Sequence, residues 1–392
     1  MDQTRTGNVE SNPQLEGIIR QRIAAEGGIS FAEYMELCLY HAEYGYYTKA
    51  RQRIGKSGDF FTSASVHEAF GRLVARQLAE MWENLGQGPF IIAEQGGGEG
   101  DLCLDILRAA AEESPDFFRS LQYRMIEISP DNKKRQKSRL AKYRDKVQWC
   151  NLSALAGMQG CFLSNELVDA FPVELAVFQR GHWQQVFVSE RDGVFVEELR
   201  PAATNEIALH FEWLGVEPTT GNRIEVNLAA RRWMHQVGKL LSRGYVLTID
   251  YGYPAVELYA PWRRDGTLMC YHKHTANENP YSMPGCQDLT SHVDFTALQI
   301  AGDEVGLKRL FFGEQYRFLM GLGFVDALLL LQSRATDEKS ALALRLTLKN
   351  LIMPEEGMGG TFKVLVQGKD VPASALLCSR RIADIPVARE IY

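Results

Sequence analysis

The sequence has no pair of cysteines spaced as C-x-x-C and no long apolar run. Its seven cysteines are odd in number and widely spread, which argues against a disulfide framework or a thiolate metal site and favours reduced thiols. The longest apolar run, Ala327–Leu331, is far shorter than the roughly 20 residues that cross a bilayer. The first residues, MDQTRTGNVESNPQ, resemble neither a signal peptide nor a transit peptide. We therefore expect a cytoplasmic protein that does not insert into membranes.

Neither sign of charge is in large excess. The chain has 43 Lys and Arg against 49 Asp and Glu, a formal net charge of -6. This balance lacks the positive excess that drives binding to nucleic acids or anionic membranes, so no nucleic-acid partner is expected. With 45% hydrophobic residues the chain is globular, and its length of 392 residues predicts two domains or one domain with large insertions.

Short apolar runs alternate with amphipathic stretches from residue 90 onward. The runs are FIIAEQ (90–95), YRMIEIS (123–129), VQWC (147–150) and GCFLSNEL (160–167). Strands that alternate with helices are typical of parallel βαβ units, so we predict an α/β fold. After Pro172, alternating apolar residues with turn signals at Arg180-Gly181 and Asp192-Gly193 predict an antiparallel β meander inserted into this sheet.

The remaining patterns complete the predicted organisation. Helical apolar spacing dominates the first 45 residues, and the Gly- and Ser-rich stretch 51–65 predicts a loop. Residues 253–293 are rich in Pro, Gly, His and Asn, which predicts a long loop insertion. The predicted regions are a helical N-terminal region (1–88), an α/β domain (89–173 and 243–392), and an inserted meander followed by a helix from about Glu225 to Ser242 (174–242).

A glycine-rich segment, EQGGGEG (94–100), follows the first predicted strand and precedes a helix. Its glycines let the backbone approach a ligand, and the helix N-terminus attracts an anionic group. The dinucleotide fingerprint G-x-G-x-x-G fails because Asp101 or Cys103 occupies its last position, and no Gly-Lys-Ser/Thr of a P-loop follows. An acid followed by G-x-G-x-G fits the loop of S-adenosylmethionine (SAM) methyltransferases, and a tight structural turn is the alternative. The candidate cofactor-binding residues here are Glu94, Gly96, Gly97, Gly98 and Gly100.

Two neighbouring strand ends also carry polar side chains. Glu127 ends the second predicted strand, where the ligand crevice of an open α/β sheet lies, and its carboxylate can accept hydrogen bonds from ribose hydroxyls. A surface glutamate is the alternative. Asn151 follows the third strand and either hydrogen-bonds an adenine edge or forms a turn. The basic run 133–139 belongs to the helix after Glu127 and is interpreted as a solvated outer face.

The fourth predicted strand ends in the polar and acidic segment SNELVDAFP (164–172). Such residues at the end of a buried strand cost free energy unless they serve a site or bond to the backbone. In SAM enzymes this strand end faces the transferable methyl group, so Asn165, Glu166 and Asp169 are candidates for holding the methyl acceptor. The alternative is that they cap the following turn. No carboxylate or thiolate lies at ligand spacing from His272 and His274, so we expect no metal.

Together these motifs resemble the MidA family of SAM-dependent methyltransferases. The matching motifs are GYY (45–47), GDF and TS (58–63), the glycine loop, IEIS (126–129), NE to P (165–172), DYG (250–252), GTL with Tyr271 and His274 (266–274), PG (284–285), DLT and VDF (288–295), and MG and FKVL (358–365). They extend over most of the chain, and the combination is far more specific than any one motif. One departure is Gly97, where the family usually has proline.

The resemblance implies a Rossmann-like class I SAM methyltransferase sheet and a SAM cofactor. Mitochondrial members of the family assist assembly of respiratory complex I by methylating an arginine of a core subunit. The implied partner is therefore a protein substrate, such as a respiratory-complex subunit. Residues 58–62 resemble the segment that folds over the bound cofactor, which makes Gly58, Asp59 and Thr62 candidate cofactor-binding residues. An exposed linker is the alternative reading of that segment.

Three functions follow from these patterns. The first is a protein arginine methyltransferase in which Glu166 and Asp169 bind the guanidinium fork and direct one nitrogen at the methyl group. The second is a small-molecule methyltransferase. The third is a non-catalytic SAM-binding assembly factor, which turnover of the cofactor separates from the other two. The sequence identifies neither the acceptor, nor the number of methyl groups added, nor the oligomeric state.

Overall fold

The computed structural model describes residues 11–49, 67–334, 336–354 and 357–380. Its strands are β1 (Ile29–Ser30), β2 (Phe90–Gln95), β3 (Leu121–Ile126), β4 (Val147–Trp149), β5 (Met158–Asn165), β6 (Glu174–Gln179), β7 (His182–Arg191), β8 (Val194–Pro201), β9 (Arg223–Val226), β10 (Leu241–Tyr253), β11 (Met269–His272), β12 (Thr275–Asn277), β13 (Asp288–Thr290), β14 (Val293–Asp294), β15 (Lys308–Glu314) and β16 (Phe362–Lys369). Its helices are α1 (Pro13–Glu26), α2 (Phe31–Tyr40), α3 (Glu68–Asn84), α4 (Asp101–Glu113), α5 (Pro115–Ser120), α6 (Pro130–Arg139), α7 (Glu206–Leu214), α8 (Leu228–Leu240), α9 (Ala255–Leu258), α10 (Phe295–Glu304), α11 (Gln315–Gly321), α12 (Phe324–Ser333), α13 (Glu338–Ile352) and α14 (Met358–Thr361).

The central sheet has the strand order β15-β16-β10-β5-β2-β3-β4. The strands from β10 to β4 are parallel to one another, whereas β16 runs antiparallel between β15 and β10. Alternate residues of the inner strands face opposite helical layers. Leu163 and Leu247 pack in the cluster that contains α3 and α4, and Phe162 and Val246 pack with α8 and α10. Burial of both faces explains why these strands are continuous apolar runs in the sequence.

The inserted segment forms a second, antiparallel sheet with the order β1-β7-β6-β9, and β8 also pairs with β7. This sheet packs on the N-terminal helices α1 and α2 in one apolar cluster that includes Leu15, Tyr34 and Val186. The predicted fold class, a Rossmann-like sheet with a helical N-terminal region and an inserted meander, is therefore confirmed. The boundaries proposed for the domains stay a prediction.

Two local predictions need correction. Glu225 and Val226, expected to begin a helix over 225–242, instead end the strand β9 because they pair with β6. The helix α8 begins only after Asn227, whose Oδ1 atom accepts the Ala230 N–H at 2.8 Å. Residues 253–293, predicted as a long loop, contain α9, β14 and the small sheet β12-β11-β13.

Three helices, α11, α12 and α13, follow one another over residues 315–352. Gly323, with a φ of +85°, separates α11 from α12, and the two helices are bent by 70°. Among the described residues, no single helix is long and apolar enough to cross a membrane. By length and composition alone, α11 and α12 meet that test only when they are taken together.

The strands β5 and β2 approach each other closely at Gly160, which leaves no room for a side chain there. Gly160 has a φ of +140°, and a Cβ atom there would lie 2.0 Å from the Ile91 carbonyl oxygen in β2. We expect Gly160→Ala to lower the free energy of unfolding by about 3 kcal/mol or more, because overpacking adds to left-handed strain. Urea denaturation measures the loss.

Gly157→Ala is the matched control for this experiment. Gly157 also has a positive φ, +78°, but its Cβ position has no atom within 4 Å, so only the conformational cost of about 1–2 kcal/mol applies. Equal losses in the two variants would show that contact with β2 does not constrain β5.

Candidate functional site

A first cavity of about 880 Å³ lies at the carboxyl ends of β2, β3 and β5. Its walls come from four parts of the chain: the glycine-rich loop after β2, the residues after β3, the segment after β5, and one face of α8. Residues of α2 and the turn that follows it complete the lining, among them Tyr40 and Tyr47. Because parallel strands end at the same edge, residues that are distant in sequence meet here.

The glycine loop adopts a conformation that depends on its glycines. Gly98 has a φ of +53°, a left-handed conformation that favours glycine over branched residues. A Cβ atom at Gly97 would lie 2.6 Å from Met125 Cε and 2.9 Å from Glu94 Cδ. A side chain at position 97 would therefore require the ends of the flexible Met125 and Glu94 side chains to move. Gly100 does not line the cavity and instead precedes α4 as its N-cap.

Glu94 lines the first cavity and is almost fully buried. Its Oε2 atom accepts a hydrogen bond from Tyr123 Oη at 2.8 Å. Burial raises the pKa of Glu94 to about 7, and the Tyr123 hydrogen bond offsets part of that effect while the charge of Glu127 adds to it. Near neutral pH this carboxyl therefore exchanges between its protonated and charged forms.

Glu127 borders the same cavity with a carboxylate that is held in place. Its Oε1 atom accepts the Ser129 N–H at 2.7 Å, and its Oε2 atom accepts Gln136 Nε2 at 3.0 Å. Burial raises the pKa of Glu127, and these donors counteract the shift. The Asn132 side chain and the Ile128 backbone N–H also favour its charged form. Asn151, in contrast, is exposed and does not line this cavity.

The turn after β5 is organised by Asp250, a residue of β10 to which the sequence analysis gave no role. Its Oδ2 atom accepts the N–H groups of Leu167 and Val168 at 3.1 and 2.8 Å, and more weakly that of Asp169 at 3.4 Å. Burial raises the pKa of Asp250 to about 7 although these donors favour the charged form. In the sequence, only the DYG motif pointed to Asp250. Its hydrogen-bond partners lie about 80 positions away, so no local pattern indicates them.

Glu166, at the start of that turn, has a strained backbone. Its φ of +51° is left-handed, a conformation that costs a non-glycine residue about 1–2 kcal/mol. Asn165 Nδ2 donates to Glu166 Oε1 at 3.0 Å. The side chains of Asn165 and Glu166 both line the first cavity. Strain of this kind persists where the surrounding structure holds it, often at functional sites.

A second cavity of about 870 Å³ adjoins the first, and Tyr47 and Glu166 line both. Two arginines and six carboxylates line it, the latter being Glu166, Asp169, Glu197, Asp265, Glu278 and Asp288. Tyr47 Oη donates to the Asp288 carboxylate at 2.8 and 2.9 Å. Tyr47 is a site residue that sequence reasoning missed, since the GYY motif carried no indication of its contact with a residue 241 positions away.

Asp169 lines the second cavity and is only 5% exposed. Its Oδ1 atom has no hydrogen-bond partner among the described residues. Burial, followed by the neighbouring charges of Asp250, Asp288 and Glu166, raises the pKa of Asp169 well above its usual value. A cation beside Asp169 would relieve the repulsion between these groups.

Of the predicted site residues, the structure brings Glu94, Gly96, Gly97, Gly98, Glu127, Asn165 and Glu166 to one cavity and Asp169 to the adjoining one. Gly58, Asp59 and Thr62 lie outside the described residues. Within the described ranges, no group of three or more His, Cys, Asp or Glu side chains could hold a metal ion.

Comparisons with known proteins agree with this geometry. The sequence model of a family described as S-adenosyl-L-methionine-dependent methyltransferases matches residues 73–313. A Drosophila melanogaster protein named mitochondrial protein arginine methyltransferase NDUFAF7 homolog is 29% identical over 307 residues, which cover 71% of this chain and 67% of that protein. The human mitochondrial protein arginine methyltransferase NDUFAF7 is 26% identical over 381 residues, 87% of this chain and 80% of its own.

A solved structure is similar along nearly the whole chain. A Burkholderia thailandensis protein bound to S-adenosyl-homocysteine is 32% identical, with a TM-score of 0.85, and the match covers 94% of this chain and 95% of that one. These comparisons confirm the resemblance inferred from the motifs, including the SAM cofactor.

The raised pKa of Glu94 predicts a pH-dependent loss of stability. The stabilisation from its protonated form is complete below the unfolded pKa of about 4.3 and is lost as the pH rises through about 7. Glu94→Gln keeps an acceptor for Tyr123 but cannot ionise. We expect its free energy of unfolding to exceed that of the parent at pH 8, by up to roughly 3 kcal/mol at about 1.4 kcal/mol per pKa unit.

Denaturant unfolding between pH 5 and pH 8 measures this difference, with the exposed Glu83→Gln as the control. A gap between Glu94→Gln and the parent that stays constant with pH would contradict the prediction.

Proposed function

This chain belongs to the family of S-adenosyl-L-methionine-dependent methyltransferases, and from that premise we propose that its methyl acceptor is an arginine side chain of a protein. The observation that carries the proposal is the junction of the two cavities at Glu166 and Tyr47. The first cavity has a glycine loop that suits the cofactor, and the second has an excess of carboxylates that suits a cation. A methyl group held at the junction therefore faces a pocket for a cationic side chain.

The residues of the first cavity fit SAM in their chemistry. The glycine loop lies at the N-terminus of α4, where backbone N–H groups favour an anionic group. Glu127 lines the cavity with a carboxylate, a group that accepts hydrogen bonds from ribose hydroxyls. Ile128, 61% exposed at the rim, offers apolar surface to an aromatic base. We assign cofactor binding to Glu94, Gly96, Gly97, Gly98 and Glu127. SAM, when bound, supplies a methyl group on a positively charged sulfur.

Glu166 and Asp169 are assigned to the acceptor. A guanidinium is planar and can donate two parallel hydrogen bonds to a carboxylate, which fixes its direction as well as its charge. The hydrogen bond from Asn165 to Glu166 would orient the carboxylate at the junction. Asp169, which lines the second cavity, would bind the other side of the guanidinium, whose positive charge would favour the charged form of this carboxyl.

The chemistry at the junction balances with one proton released. A guanidinium nitrogen forms a bond to the methyl carbon, the bond between carbon and sulfur breaks, and the sulfur retains the electron pair as a neutral thioether. The nitrogen must then give up a proton, which a carboxylate such as Glu166 can accept. Transfer of this kind depends on positioning more than on a strong catalyst.

The two alternative functions make different predictions. A small-molecule methyltransferase would not label protein, and a non-catalytic assembly factor would bind the cofactor without consuming it. The names of the relatives support a protein arginine as acceptor, with a respiratory-complex subunit as the proposed kind of substrate. Those relatives are named mitochondrial, so the cytoplasmic location expected from the sequence stays a prediction.

Cofactor binding should depend on the backbone of the glycine loop. We expect S-adenosyl-homocysteine to bind, NAD not to bind, and Gly98→Val to abolish binding, because a β-branched residue disfavours a φ of +53°. Isothermal calorimetry measures all three. Gly181→Val is the control, since Gly181 also has a positive φ, +79°, but lies in the hairpin between β6 and β7. Unchanged affinity in Gly98→Val would move the cofactor away from this loop.

Glu166→Gln should separate acceptor chemistry from cofactor binding. It keeps the size of the side chain but removes the charge that fixes a guanidinium, so we expect methyl transfer to fall by roughly 10² or more with the affinity for S-adenosyl-homocysteine nearly unchanged. The assay follows labelled methyl groups from SAM into an extract of cells that lack the gene, with methylarginine identified after hydrolysis. Asp169→Asn should behave alike, and a melting curve separates loss of activity from loss of stability.

Glu83→Gln removes a charge far from both cavities and serves as the control for this assay. If Glu166→Gln loses cofactor affinity in proportion to activity, Glu166 belongs to the cofactor pocket. If the label appears on residues other than arginine, the proposed acceptor is wrong.

A further inference from the structure

The helix α6 has one buried side chain, and it is polar. Gln136 is fully buried, although it lies inside the basic run 133–139. The other side chains of that run are partly or fully exposed. Burying an amide without partners costs free energy, so a buried glutamine side chain needs hydrogen bonds to both its oxygen and its nitrogen.

Gln136 has such a set, and each bond reaches the end of a different central strand. Its Nε2 atom donates to the Gly98 carbonyl oxygen at 2.8 Å and to Glu127 Oε2 at 3.0 Å. Its Oε1 atom accepts Trp149 Nε1 at 2.7 Å. These partners follow β2, follow β3 and end β4, respectively.

The three partners also fix the orientation of the amide. If its oxygen and nitrogen exchanged places, the oxygen would face a carbonyl and a carboxylate, and the NH₂ group would face an indole N–H. Only the observed orientation satisfies all three contacts. The single Gln136 amide therefore holds the Gly98 carbonyl oxygen and the Glu127 carboxylate on either side of one nitrogen atom.

We propose that Gln136 is a positioning residue for the cofactor, which sets the glycine loop and the Glu127 carboxylate relative to each other without touching the ligand. This inference rests on the assignment of Glu127 to cofactor binding made above. Arg135 and Arg139 add outer contacts to the same loop through Glu99, at 3.1 and 3.4 Å. Those pairs are more exposed and therefore contribute less.

Two substitutions test the role of the amide. Gln136→Met keeps the length and apolar volume but removes every hydrogen bond, and we expect it to weaken S-adenosyl-homocysteine binding at least tenfold. Gln136→Glu places a second carboxyl against Glu127. We expect it to weaken binding most at pH 8 and to recover part of the affinity towards pH 6, because one proton between the two carboxyls restores a donor.

The readout is the ratio of each variant's Kd to that of the parent at the same pH, measured by calorimetry. Other titratable or charged groups around this contact are Glu94, Glu99, Asp101, Arg135 and Arg139. They are present in both proteins, so the ratio isolates the effect of residue 136. A loss of fold alone would appear in ligand-free melting curves at each pH and would not give a ratio that recovers as the pH falls.

Lys134→Met, an exposed change on the same helix, is the matched control and should bind like the parent. Parent-like binding by Gln136→Met, or a pH-independent ratio for Gln136→Glu, would overturn the inference. Glu127→Gln distinguishes a failure of the cofactor-binding assignment of Glu127 from a failure of the positioning role of Gln136. If it binds like the parent, the assignment of Glu127 fails, whereas if it binds weakly and Gln136→Met binds normally, only the role of Gln136 is wrong.

Discussion

The carboxylate of Asp250 is the contact on which both cavities depend. It lies on β10, yet it accepts the N–H groups of Leu167 and Val168 in the turn after β5. Without this carboxylate the buried Val168 N–H would lack a partner, at a cost of about 1–3 kcal/mol. The turn they form carries Glu166 into the junction and Asp169 into the second cavity, so one buried carboxylate determines where two others lie.

The N-terminal helices secure the same turn from the opposite side. Tyr40 Oη in α2 donates to the Ala170 carbonyl oxygen at 2.9 Å. Tyr47, which follows α2, donates to Asp288, and both residues line the second cavity. Because α2 packs with α1 and the inserted sheet in one apolar cluster, the insertion and the N-terminal region form a common wall above the strand ends. This wall converts an open crevice into two cavities that meet.

The electrostatics of the site follow from how closely its carboxyls are placed. Burial raises the pKa of Asp169, Asp250 and Glu94, and repulsion within the group formed by Asp169, Asp250 and Asp288 adds to the shift at Asp169. Such an arrangement is costly when empty. A bound cation would lower that cost, because its positive charge would offset the repulsion among the three carboxyls.

The sequence by itself determined the features that depend on local spacing. The alternation of apolar runs predicted the sheet, and the position of EQGGGEG directly after a strand predicted the loop at the first cavity. It also placed Glu127 and Glu166 at strand ends, since parallel strands present their carboxyl ends on one edge. It misjudged Glu225 and Val226, where pairing with a distant strand overrode the local helical pattern.

Only the tertiary structure decided which of these groups work together. Gln136 was one letter in a basic run until its amide was found between Gly98, Glu127 and Trp149, and Asp250 and Tyr47 gained their roles from partners about 80 and 241 positions away. Periodicity and turn chemistry are properties of neighbouring residues, so a sequence displays them directly. Hydrogen bonds between strand ends exist only after the chain has brought those ends together, and no local pattern encodes which donor will meet which acceptor.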